Sequence, residues 1–134
     1  MSAQDVPPTT TTTGPSAVTD APAEDPTRDI ADVPAVEIIG AAAVHLMSAA
    51  AVKCGLAPDA DGVRGEDLKD LDEARKLITA LAGLVTAGAP EIGDRHARPL
   101  RDGLRTLQLA FREASTFPDA PGEGPGEKWT GAVR

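Results

Sequence analysis

The stretch Asp70 to Ala87, DLDEARKLITALAGLVTA, decides the fold. Leu71, Ala74, Leu77, Ile78, Leu81, Leu84 and Val85 recur at three- and four-residue spacing. At 100° per residue they fall within an arc of about 140°, the single apolar stripe of an amphipathic helix. Asp70 is placed to cap the first turn, with Glu73 reaching back to the N–H of Asp70, and Asp72 adds negative charge at the positive end of the helix dipole. Asp72 and Lys76 form an acid-first pair four residues apart. Gly88 and Pro90 supply a left-handed cap and a stop. The reading is a helix over about 70–87.

Upstream, Asp32, Val33 and Pro34 suit a helix start, since proline in the first turn gives up an N–H that has no helical partner. The helix then runs over about 33–54 to a left-handed cap at Gly55. Its sequence, VPAVEIIGAAAVHLMSAAAVKC, is apolar or small on nearly every face. The uncharged run Ile38 to Val52 is 15 residues, against the ~20 that a membrane span needs. The expectation is therefore no membrane but a helix buried on several sides, partly by a second copy, with Gly40, Ala43, Met47 and Ala50 as the self-association positions. His45 reads as a core histidine with one satisfied partner.

Downstream, Leu100, Leu104, Leu107, Phe111 and Ala114 share one face of a third helix, expected over about 96–115 with Pro99 in its first turn. Arg98, Arg101, Arg105 and Arg112 form a second stripe about 130° away. Guanidinium geometry suits phosphates, so this stripe offers itself to RNA or a ribosome; the plainer expectation is a solvated face or pairing with the acidic loop before the central helix. Leu109 lies opposite the core line, where an apolar residue among arginines marks a protein contact.

The remaining chain is punctuation. The protein has 134 residues with 13 glycines and 12 prolines, many near its ends. Residues 1–28 are rich in Pro and Thr, and carry Asp5, Asp20, Glu24 and Asp25 against Arg28 alone, the composition of a disordered acidic tail. Residues 116–134, TFPDAPGEGPGEKWTGAVR, read as an extended tail with no regular element. Phe117 and Trp129 bracket that tail, so at least one of them either packs back or anchors a partner. With three aromatics and no tyrosine, thin helix-on-helix packing is favoured over a sheet sandwich. The fold class is thus all-α, a three-helix hairpin-like bundle over 29–115 between two tails. A core this small gains from association, so a homo-oligomer is expected, a dimer first.

Chemistry is sparse. Asp59 and Asp61 resemble the start of a calcium loop, but Val63, Arg64 and Asp70 occupy positions where an EF-hand has a ligand, Gly and Glu. His45 and Cys54 point to opposite sides of one helix. Cys54, the lone cysteine, allows no internal disulfide and reads as a small apolar residue. The GEGPG stretch lacks the strand and helix of a phosphate loop. No catalytic, cofactor or metal residues emerge, and neither does a signal peptide, so a cytoplasmic non-enzyme is expected. A net charge of −8 runs against a nucleic-acid binder.

The phrases IADVPAVEIIGAAAVHLMSAAAVKCGL, DLDEARKLITALAGLVTA, RPLRDGLRTLQLAFREAS and PGEGPGEKWTG together resemble the actinobacterial branch of a family known only as a domain of unknown function, eighteen forty-four. The resemblance covers about Asp29 to Gly131. It implies a small three-helix protein with no established activity, and its members' frequent encoding near translation initiation factor three implies a link to translation. The reading that follows is a self-associating protein-interaction or regulatory module that presents the acidic loop, the arginine stripe, Leu109 and Trp129 to a protein partner. The alternative is a ribosome- or RNA-associated factor using the arginine stripe.

Overall fold

The computed structural model describes residues 29–58 and 61–133. The tail expected over 1–28, the first acid of the calcium-like loop and Arg134 lie outside the described residues. The chain divides into two units, 1–34 and 35–134. In the first, Asp29 accepts from the Ala31 N–H at 2.9 Å and caps a 3-10 turn over Ile30–Asp32.

Among the described residues, the regular elements of the second unit are all helices. Helix α1 spans Ala35–Lys53, α2 Gly65–Leu68, α3 Leu71–Ile92, α4 Asp94–Ala114 and α5 Glu127–Thr130. The long helices α1, α3 and α4 pack on one another, and α5 rests on α3. Their shared core is built from Ala43, Ala50, Ala74, Ile78, Leu81, Val85, Leu100, Leu104, Leu107 and Phe111.

Helix α1 ends as its glycine requires. Gly55, at φ 84°, donates to the Val52 carbonyl, and Leu56 donates to that of Ala51, so the last turn closes in a Schellman motif. The Lys53 carbonyl then accepts from the Asp70 N–H at 2.8 Å, pinning the end of α1 to the start of α3. That bond takes the donor which Glu73 was expected to use. Asp70 still caps by accepting from the Glu73 N–H at 3.2 Å, but the Glu73 carboxylate turns to Lys76 at 2.7 Å. Lys76 therefore pairs with Glu73 rather than with Asp72.

The central helix does not stop at Gly88. It continues through Pro90 to Ile92, and Gly88 is buried within it, where an added Cβ would meet the Ile39 methyl at 3.4 Å. Gly88 sits in the contact between α1 and α3 and makes no left-handed turn. Pro90 removes only the N–H that would serve the Thr86 carbonyl, at an exposed part of the helix. The terminator is Gly93, at φ 86°, which ends α3 and precedes α4 with no other residue between them. Helix α4 accordingly begins at Asp94, and Pro99 sits past its first turn.

The C-terminal segment is a folded hook rather than an extended tail. Arg75 donates to both carboxylate oxygens of Asp119 at 3.2 and 3.1 Å while stacking over Phe111, so the segment is tied to α3 as it leaves α4. Farther along, the buried Glu127 carboxylate accepts from the N–H groups of Gly122 and Gly124 at 2.8 and 3.1 Å. These bonds satisfy a glycine-rich loop that has no ladder of its own.

Candidate functional site

Helix α1 has one inner face and one outer face. Ala43 and Ala50 are 0 % exposed and lie in the monomer's own core. Met47 faces Gly103 of α4, so close that a methyl group on Gly103 would collide with its Cε. These positions of the expected self-association stripe are consumed by the fold, since small side chains let α1 lie close to its neighbours. Gly40 is half-buried, with open space where a Cβ would stand.

The opposite side is the more exposed one among the described residues. At 100° per residue, Ile38, Ala41, His45, Ser48, Ala49 and Val52 gather about one line on it. Ile38 and Val44 are 45 % and 53 % exposed, and no charged residue interrupts the run between Glu37 and Lys53. His45 is exposed there instead of lying in the core. Helix α1 is long and apolar enough to cross a membrane by length and composition alone.

The arginine row is partly neutralised. Arg98 and Arg101 both donate to Asp94, at 2.8 and 2.9 Å, and hold its carboxyl below the usual carboxylate range. Arg105 is also engaged within the chain, and Arg112 is exposed. Leu109 is half-buried and lines a shallow depression with Arg112, Glu113 and Pro118. Phe117 stands 89 % exposed beside that region.

Trp129 packs back and forms one wall of a cleft. The edge of its indole lies over Gly83, and Lys128 Nζ sits 4.6 Å from its ring centroid. The cleft, about 400 Å³, runs between α3, α4 and the hook. Its walls include Val85, Leu104, Arg101, Arg105, Gln108 and Trp129. Gln108, 2 % exposed, donates through Nε2 to the Pro125 carbonyl and to Thr130 Oγ1, both at 3.1 Å. The sequence pattern misses Gln108 because it reads as one polar residue beside the core line of an amphipathic helix.

Among the described residues no group of three or more His, Cys, Asp or Glu could hold a metal ion. Cys54 is buried, and burial pushes its thiol up, away from the reactive thiolate. Nothing in the arrangement points to catalysis.

No curated protein and no solved structure gives a match. One family model does, over residues 35–113, which begins with α1 and ends within the last turn of α4. The matched span takes in the three packed helices, and the chain belongs to the family described as Domain of unknown function (DUF1844).

Proposed function

We propose that the protein is a non-enzymatic, cytoplasmic interaction module that self-associates as a two-fold dimer through the outer face of α1. The observation that carries this reading is the uncharged face from Ile38 to Val52, exposed at Ile38, Ala41, His45 and Ser48 and half-buried at Ala49 and Val52, on a helix already packed on its other side. An exposed apolar patch of this length marks a contact surface. Its residue order favours a second copy. In an antiparallel register centred on His45, Ile38 of one chain meets Val52 of the other and Ala41 meets Ala49. Glu37 then comes to the level of Lys53, so opposite charges stand at both ends. Such a self-complementary patch is what a two-fold interface requires.

Sedimentation of the full chain tests it. The wild type is expected to be a dimer at micromolar concentration, whereas Ala41→Glu with Ser48→Glu, both at exposed positions, gives a monomer of unchanged helicity. A monomeric wild type, or a double variant that stays dimeric, overturns the reading. A wild type that is monomeric in solution but floats with phospholipid vesicles assigns the face to a lipid surface instead.

The arginine stripe supports an RNA- or ribosome-associated role less well, because Asp94 already engages two of its four members. That role requires RNA retention that falls steeply with salt and whose slope shrinks when Arg98, Arg101, Arg105 and Arg112 are removed.

A further inference from the structure

The cleft under Trp129 has the components of a small-molecule site, and they are independent of the α1 face. Its volume of about 400 Å³ lies within the usual range for such pockets. Val85 and Leu104, both buried, provide an apolar floor. Trp129 supplies an aromatic wall, and two guanidinium groups, Arg101 and Arg105, stand at the rim with donors suited to an anion.

Two acceptors complete it. The Nε2 bonds of Gln108 fix its amide orientation, since the Pro125 carbonyl can only accept. Its Oε1 is then left without a hydrogen bond among the described residues, on a side chain that is nearly fully buried. A buried polar atom left in this way calls for an external donor. Thr86, also lining the cleft, has a backbone carbonyl whose usual i+4 donor is missing, because residue 90 is a proline.

We propose that this cleft binds a small aromatic anion, a planar ring with a donor N–H or amino group and a carboxylate or phosphate, about the size of a nucleoside monophosphate. The ring lies against Trp129 and the apolar floor, its donor reaches Gln108 or the Thr86 carbonyl, and the anionic group meets Arg101 and Arg105. Hydrogen bonding to the anion does not require either arginine to leave its partner, because each guanidinium carries five donors.

Trp129 is the only tryptophan, so its emission reports on the cleft directly. Titrating the full chain with adenosine monophosphate and with 4-aminobenzoate separates the phosphate from the carboxylate source, and inorganic phosphate controls for charge alone. One aromatic anion is expected to give a saturable one-site change, at least tenfold tighter than inorganic phosphate. Arg101→Gln with Arg105→Gln is expected to weaken it at least tenfold. Thr86→Phe, at an exposed position on the lining, blocks the cleft without touching an arginine, and Lys76→Gln on the same helix leaves binding unchanged. The proposal is overturned if neither aromatic anion saturates, if inorganic phosphate binds as tightly, or if Thr86→Phe binds like the wild type.

Discussion

Gly126 of the C-terminal hook lies directly against Ala82 of α3: a Cβ built on this glycine would stand 2.5 Å from the Ala82 methyl, and its φ is 78°. The hook docks at this point by backbone, not by side chain. Gly126→Ala therefore carries two penalties, a left-handed residue with a Cβ, about 1–2 kcal/mol, and overpacking of about 1–3 kcal/mol. The expected outcome is release of the hook with the three long helices intact. Trp129 emission would shift to the red and its quencher access would rise, while far-ultraviolet circular dichroism stays close to wild type.

Gln108 holds the same hook from α4. Replacing it with Ala strands the Pro125 carbonyl, which is buried, whereas Thr130 is exposed and can turn to water. One buried acceptor without a partner is worth about 1–3 kcal/mol. Chemical denaturation of Gln108→Ala should show a loss in that range, and Thr130→Val a smaller one. The double variant should lose less than the sum, since the pair shares one bond.

How much of this was legible in the sequence depends on how local each signal is. The start of α3 is written in Asp70, whose side chain caps within three residues. The end is not, because Gly88 and Pro90 look like a terminator until Ile39 of α1 is found against Gly88. The facing of α1 is hidden for a related reason. A helix that is apolar or small all round has no stripe to read, so only its packing selects Ala43 and Ala50 as the inner line. The hook depends on contacts between residues far apart, Arg75 with Asp119 and Gln108 with Pro125. Its Pro and Gly residues read locally as an unstructured tail. The cleft is invisible in the sequence because its walls come from three segments, although Arg101, Arg105 and Trp129 each stand out there for other reasons.

Gly40 offers a separate test of which way α1 faces. It lies in the middle of a helix, with nothing within 4 Å of where a Cβ would be. Gly40→Ala should stabilise the monomer by about 0.5–1 kcal/mol, because alanine loses less backbone freedom on folding. For a domain of this size that is roughly 3–6 °C in Tm. If Gly40 were a close-contact position in a helix pair, the same change would weaken the dimer instead.

Cys54 should be inert as a nucleophile. It is buried at the end of α1, and desolvation raises its thiol, so the thiolate is scarce at neutral pH. Alkylation by iodoacetamide at pH 8 is expected to be on the order of a hundredfold slower than for a free thiol, as an opening of about 3 kcal/mol would impose. The rate should recover fully in denaturant. Rapid labelling of the native chain would mean that the α1 terminus opens readily and that its Schellman cap contributes little.

Asp94 links the start of α4 to pH. The Arg98 hydrogen bond is the largest cause of its lowered pKa, followed by that of Arg101. A carboxylate whose folded pKa is depressed stabilises the fold at pH values above its unfolded pKa, and that contribution disappears as pH falls through the folded pKa. The pair is exposed, so salt should shrink the effect. Asp94→Asn removes the charge while keeping an acceptor. Its denaturation midpoint should fall below wild type by a constant amount at neutral pH, and the gap should close in acid, below the ordinary carboxylate range. A gap that is independent of pH would show that Asp94 acts through its helix-start geometry alone, with no contribution from the paired charge.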